Sequence, residues 1–192
     1  VNPDDGSPIF EDITGDGVIS DDDKTMIGSA IPDITYGLTI NLAWKGIDFV
    51  MFMNGTSGND ICYAIPRSTR MQANTLKYFY DRRWTTPGQN AEYIAASLPD
   101  YANYVQSSAM VFDGSYLKIK QIQLGYTFPK SVLEKTRFLT NLRVYISLDD
   151  FFTFTDYPGF DPEVSMSGSG LGLDYGQYPV TKRMTFGVNV SF

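Results

Sequence analysis

The residues with the clearest potential for chemistry lie in the stretch DITGDGVISDDD, residues 12–23. Asp12, Thr14 and Asp16 fall at loop positions 1, 3 and 5 of a calcium-binding pattern, with Gly17 at the sharp turn of position 6 and Ile19 at the apolar position 8. Ser20 and Asp23 take positions 9 and 12, and the backbone carbonyl of Val18 supplies position 7. A tightly wound loop turns alternate oxygens inward onto a hard cation, and a glycine takes the backbone angle that other residues resist. The set therefore suits one Ca2+. Two departures stand against it: Thr14 is neutral where an acid or amide is usual, and Asp23 is shorter than the bidentate Glu that normally closes such a loop. The same stretch also reads as an Asp-Gly-rich surface turn with solvated carboxylates. On either reading the loop holds a segment in shape, and the function lies elsewhere.

Other chemistry is sparse. The chain of 192 residues contains no histidine, which excludes a Ser-His-Asp triad, a Cys-His dyad and a His-ligated zinc. Glycoside hydrolysis needs two carboxylates about 5 to 10 Å apart astride a sugar. Asp149 with Asp150, or Asp161 with Glu163, are the available pairs, but both fit better as strand-end or loop residues, so no enzyme is expected. The single Cys62 cannot form an internal disulfide. A net charge of -7 without a basic run argues against nucleic acid as a partner. The stretch SGSGLGLDYG lacks the preceding strand and following helix of a phosphate cradle and reads as a flexible loop.

The elements that carry these residues are strands. ITYGLTINLAW alternates over eleven residues, with Ile34, Tyr36, Leu38, Ile40, Leu42 and Trp44 on one face. Lys45-Gly46 then makes a tight turn and IDFVMFMNG runs back, predicting a hairpin. SYLKIKQIQLGYTF changes parity near Lys120 and Gln121, which predicts a bulge. NLRVYISLDDFFTF and MTFGVNVSF alternate likewise. Aromatic content of 15% against 19% charged residues suits strands facing something apolar. No apolar run reaches the roughly 18 residues of a membrane-spanning helix, whereas spanning strands need only about 9 to 11.

The links between strands alternate in length. A two-residue turn is followed by an excursion from about Thr56 to Gly114, a shorter link from Pro129 to Thr140, and a long loop from Thr155 to Arg183. Short links on one side and long loops on the other are the pattern of outer-membrane barrels. Within the first excursion a helix is expected from Met71 to Arg83, ended by Thr85, Thr86, Pro87 and Gly88. Its Tyr78, Phe79, Tyr80 and Trp84 are expected to pack the loop rather than stack on a ligand. The competing architecture is a β-sandwich, in which the apolar face of Leu38, Ile40, Leu42, Ile146 and Leu148 packs on a second sheet instead of lipid. It corresponds to a soluble extracellular β-domain that binds glycan and is stabilised by calcium.

The order DITGDGVISDDD, IGSAIPDITYGLTINLAWKGIDF, NGTSGNDI, DRRWTTPGQN, FDGSYLKIKQIQLGYTFPKSVL, NLRVYISLDDFFTFTDYPGFDPEVS and TFGVNVSF resembles the C-terminal portion of the SusC/RagA-family TonB-dependent outer-membrane transporters of Bacteroidetes. DGSYLKIKQIQLGYTFP and FFTFTDYPGFDPE are the most specific motifs. SLDDFF departs from the family at Asp149 and Asp150, where an amide more often precedes an LFTFT run. The resemblance implies an all-β fold: an antiparallel transmembrane β-barrel segment, about five strands of a barrel of about 22, with long extracellular loops, one of them containing a short helix. Residues 1–192 are then the C-terminal part of a receptor whose plug, signal peptide and remaining strands lie outside this chain, and VNPDDGSPIF, which lacks an initiator methionine, is expected to continue a longer protein.

The implied activity is active import of oligosaccharides or peptides across the cell outer membrane. The implied partners are a SusD-like surface lipoprotein, a TonB complex engaged through the missing N-terminal region, and outer-membrane lipid. Counting strands back from Phe192 places the Asp12–Asp23 loop on the extracellular side. Phe186, Val188, Val190 and Phe192 resemble the C-terminal signal read by the barrel-assembly machinery. Tyr63, Arg67, Tyr157, Phe160 and Tyr175 lie in loops from which they could reach cargo.

Overall fold

A computed structural model describes residues 1–65, 75–96, 101–134, 138–164 and 170–192. The chain divides into two compact units, one made of Val1–Ile31, Asn59–Asp113 and Tyr157–Gln177, the other of Pro32–Gly58, Gly114–Asp156 and Tyr178–Phe192.

The second unit is an antiparallel sheet of five long strands: β1 (Ile34–Trp44), β2 (Ile47–Ser57), β5 (Tyr116–Thr127), β6 (Asn141–Thr155) and β8 (Arg183–Ser191), paired in chain order. Period-two alternation produces these strands, and the turns set their register. Lys45 and Gly46 both adopt positive φ, 48° and 88°, which is the two-residue turn whose twist matches that of the flanking strands. The β1–β2 register therefore runs unbroken from Ile34 opposite Ser57 to Trp44 opposite Ile47. The expected bulge is present: pairing of β5 with β6 jumps from Ile119 opposite Phe152 to Gln121 opposite Asp149, leaving Lys120 on one strand and Asp150 and Phe151 on the other out of the ladder. Asp150 takes a left-handed conformation, φ 56°, which Asp and Asn tolerate better than other side chains. An amide would suit that backbone equally, so the conformation is compatible with either residue. Lys120 Nζ stands 3.3 Å from Asp150 Oδ1.

The expectation of a transmembrane β-barrel segment is corrected by this topology. Both sheets of the chain are open, with β1 and β8 forming the edges of the larger one, whereas a barrel requires its first and last strands to pair. Among the described residues no helix is long and apolar enough to cross a membrane, which bears on helical spans alone. The links expected to be extended loops instead build a unit with a core of its own.

That first unit contains a mixed three-stranded sheet in the order β4-β3-β7, from β3 (Asp60–Tyr63), β4 (Val111–Asp113) and β7 (Leu173–Asp174), with β3 antiparallel to β4 and parallel to β7. The SGSGLGLDYG stretch thus supplies a strand at Leu173–Asp174, while its residues 167–169 lie outside the described residues. Short helices α1 (Lys77–Arg82) and α2 (Tyr101–Tyr104) belong to the same unit, and α3 (Lys130–Leu133) lies in the link between β5 and β6. Helix α1 is shorter than the expected Met71–Arg83. Leu76 and Arg83 are extended, and residues 71–74 lie outside the described residues. Ile61, Tyr63, Phe79, Tyr93, Ile94, Tyr104, Met110, Tyr157 and Val164 form the core. As expected, Phe79 packs inward, while Tyr80 is exposed and carries the Arg83 guanidinium 3.6 Å from its ring centre.

Across the larger sheet, Gly125 leaves room for a contact that spans three strands. A Cβ there would collide with the Arg143 guanidinium and the Asp48 carboxylate, which meet over it from β6 and β2. Gly125→Val is expected to separate that pair and lower stability by about 1–3 kcal/mol. A fall in the urea midpoint read from Trp44 fluorescence, in a Trp84→Phe background, checks this.

Candidate functional site

The acidic loop is organised by its own carboxylates. Asp12 Oδ1 accepts from the Gly15 amide at 2.6 Å and Asp12 Oδ2 from the Gly17 amide at 2.7 Å. Asp23 Oδ1 accepts from the amides of Ile13 and Thr14 at 3.0 and 3.1 Å, and Asp23 Oδ2 from the Ser20 amide at 2.8 Å. Asp16 Oδ1 accepts from the Val18 amide at 2.8 Å. The Ser20 side chain caps a 3-10 turn at Asp21–Asp23, accepting from the Asp22 amide. These bonds explain how a segment almost wholly exposed holds a defined shape: the carboxylates replace a core.

The donor set fits a hard cation in part. Thr14 Oγ1 lies 3.2 Å from Asp12 Oδ1 and 3.1 Å from Asp23 Oδ1, so three of the six expected ligands converge on one point. Two carboxylates brought together on one hydroxyl suit positive charge between them. The Ser20 amide, then the Thr14 amide and hydroxyl and the Ile13 amide, hold the Asp23 carboxyl below the usual carboxylate range.

The larger sheet carries the second constellation. Register places Leu42, Phe49, Leu124, Ile146 and Phe186 in one row across all five strands. The neighbouring row on the opposite face is Ala43, Asp48, Gly125, Tyr145 and Gly187. The apolar face is open: Leu38 is 51% exposed, Leu42 61% and Phe186 75%. The buried side chains of the strands are instead polar, namely Thr56, Lys118 and Ser147, with Lys118 only 3% exposed. On this polar face Arg143 donates to Asp48 through Nε at 2.9 Å and Nη2 at 2.5 Å, and Arg183 Nε donates to Asp149 Oδ2 at 3.1 Å. Parity alone marks these residues as facing the polar side. Their cross-strand pairing needs the register and is not legible in any one stretch of sequence.

The loop residues suggested as cargo contacts separate. Tyr63 is 1% exposed and lies against Phe79, with ring centres 4.8 Å apart. Tyr157 is buried and donates to Asp174 Oδ2 at 2.6 Å; burial and that bond push its phenol well above the ordinary tyrosine range. Phe160 and Tyr175 are exposed, and Arg67 lies outside the described residues. Phe186, Val188, Val190 and Phe192 are all exposed, the first three along edge strand β8. Phe192 stacks on Phe138 with ring centres 6.2 Å apart. Burial raises the Cys62 thiol above its ordinary value, which disfavours a reactive thiolate.

No family model matches the chain. Among curated proteins it is 34% identical to TonB-dependent receptor P3 of Formosa agariphila over 98% of this chain and 19% of the relative, and 29% identical to TonB-dependent receptor P26 of the same organism. It is 27% identical to TonB-dependent receptor SusC of Bacteroides thetaiotaomicron over 97% of this chain and 18% of the relative. Among solved structures, the RagAB peptide importer in its closed-closed state matches with a TM-score of 0.69 and 25% identity, over 91% of this chain and 19% of that one. Homology thus supports a relationship to the SusC/RagA-family TonB-dependent receptors, an outer-membrane-associated group. The chain spans about a fifth of the length of these relatives. These relatives are TonB-dependent receptors and a peptide importer, and none of them is named for a catalytic reaction.

Asp23→Ala is expected to free the amides of Ile13, Thr14 and Ser20 and expose Lys24 to trypsin, read as faster cleavage after that residue. The folded pKa of Asp23 lies below its ordinary 3.8, so its contribution is present above that value and is lost as pH falls through the lowered one. Protection at Lys24 should accordingly be flat from pH 5 to 8. Since trypsin is inactive in acid, the loss is read as faster amide exchange of residues 13–20 below about pH 4.

Proposed function

We propose that the chain is a C-terminal part of a TonB-dependent active importer of the outer membrane, which takes up oligosaccharides or peptides with a SusD-like surface lipoprotein. The observation that carries this reading is the inverted burial of the larger sheet: large apolar side chains are exposed on one face while Lys118, Ser147 and Thr56 are buried. A water-facing sheet domain buries its apolar face to gain stability, and a patch this large left open marks a surface with an apolar neighbour. Outer-membrane lipid is that neighbour in the proposed reading, and the polar face with its Asp48–Arg143 and Asp149–Arg183 pairs belongs to the path of the cargo. The motif order and the homology to TonB-dependent receptors support energy input from a TonB complex through parts of the protein outside this chain. Phe160 and Tyr175 are the proposed cargo contacts among the loop residues.

The Asp12–Asp23 loop is proposed to hold one Ca2+ through Asp12, Thr14 and Asp23, with Asp16, the Val18 carbonyl and Ser20 completing the set. Its role is to stiffen the loop. Millimolar affinity suits an extracellular module of this kind.

Uptake of labelled oligosaccharides and peptides by cells carrying or lacking the intact protein tests the function. Uptake that needs the protein, collapses on dissipating the proton gradient and is accompanied by co-purification of a surface lipoprotein supports it; uptake unchanged in its absence overturns it. Leu42→Asp is expected to cut the amount of protein in the outer-membrane fraction severalfold, and Thr39→Asp on the polar face to leave it near wild type, measured by quantitative immunoblot. Millimolar Ca2+ should slow trypsin cleavage after Lys24. In Asp16→Asn with Asp23→Asn that protection should vanish while uptake persists.

A further inference from the structure

Three stretches far apart in sequence, residues 1–31, 59–113 and 157–177, share the first unit. We infer that they form one cooperative body pinned by the buried Tyr157–Asp174 hydrogen bond, so that releasing this bond loosens the other two stretches together. This goes beyond the transport reading and does not rest on it.

The pin is a carboxyl group held in a buried place. Asp174 is 2% exposed; its Oδ2 accepts from the Tyr157 hydroxyl at 2.6 Å and its Oδ1 from the Gly176 amide at 2.8 Å. Removing the phenol hydroxyl leaves one carboxylate oxygen buried without that donor, which is far more costly than losing an exposed bond. Asp174 sits in β7, opposite Tyr63 of β3, and the backbone bonds Cys62 N to Gly172 O and Ala64 N to Asp174 O, both 2.8 Å, tie the two strands.

From the pin, contacts run without a gap to the N-terminal stretch. Tyr157 meets Phe112 with ring centres 6.2 Å apart, Phe112 meets Phe79 at 5.9 Å, and Phe79 meets Tyr93 at 4.9 Å. The Tyr93 carbonyl accepts from the Trp84 amide at 2.8 Å, and the Trp84 indole donates to the Pro3 carbonyl at 2.9 Å. The Ala95 amide donates to the Gly6 carbonyl at 3.1 Å, closing the N-terminal turn onto the same body. No stretch has a core of its own, so each depends on rings contributed by another, which is the condition for opening as one unit. The exposed Phe160 and Tyr175 lie three residues and one residue from the pinned side chains, so contact made there bears directly on the bond.

Hydrogen exchange on the intact protein, wild type against Tyr157→Phe, tests the inference, with exposed Tyr178→Phe as the control. The phenylalanine keeps the ring in the core and removes only the donor. Amides of residues 61–64, 77–84 and 1–8 are expected to exchange on the order of tenfold faster together, with β2 and β5 unchanged. Acceleration confined to residues 157–177, no acceleration at all, or equal acceleration throughout both units each overturns the inference.

Discussion

The sheet unit depends on one constraint, the strict two-residue alternation kept in register across five strands. Because side chains switch faces at every residue, a slip of one position in any strand would carry its apolar set to the other face. The row Leu42, Phe49, Leu124, Ile146 and Phe186 exists only while all four pairings hold. Two local devices protect it. The Lys45-Gly46 turn sets the first pairing through its positive φ angles, and the bulge at Lys120 absorbs the parity change that the sequence carries in β5. Asp150 supports the second device by accepting a left-handed backbone, at a site where a β-branched residue would be strained.

The two units solve opposite problems with the same residue types. In the first, aromatic rings from noncontiguous stretches converge, and Tyr63, Phe79, Tyr93 and Tyr157 lose water to one another. In the sheet the aromatics and aliphatics stay outside, and polar groups are buried where strands approach closely. Burial of Lys118 and Ser147 is tolerable because the same face offers carboxylates, amides and hydroxyls as partners. Such a pattern has no advantage in water and becomes reasonable when the open apolar face has an apolar environment.

The acidic loop shows a third solution, in which neither a core nor a ladder is used. Asp12 and Asp23 gather backbone amides, and the loop is shaped by local hydrogen bonds to charge. The Thr14 hydroxyl draws the carboxylates of Asp12 and Asp23 to one point, so the two ends of the loop are held by the same few atoms.

Sequence alone determined the five long strands, the hairpin turn, the bulge, the absence of histidine-dependent chemistry and the family resemblance, because each follows from local spacing or composition. Ile34–Trp44 was readable to the residue, since alternation and a Lys-Gly turn mark both its length and its end. What only the tertiary structure decided was how the long links fold. Asp60–Tyr63 and Leu173–Asp174 are too short to alternate visibly, and they become strands only because each finds the other. Tyr63 and Tyr157 are candidates for a ligand on residue type, and their burial is a fact of tertiary neighbours, Phe79 and Asp174 for the first and Phe112 and Asp174 for the second. The open edges of β1 and β8 belong to the same class: pairing between distant strands is settled by which edges meet, and no window of sequence contains that information.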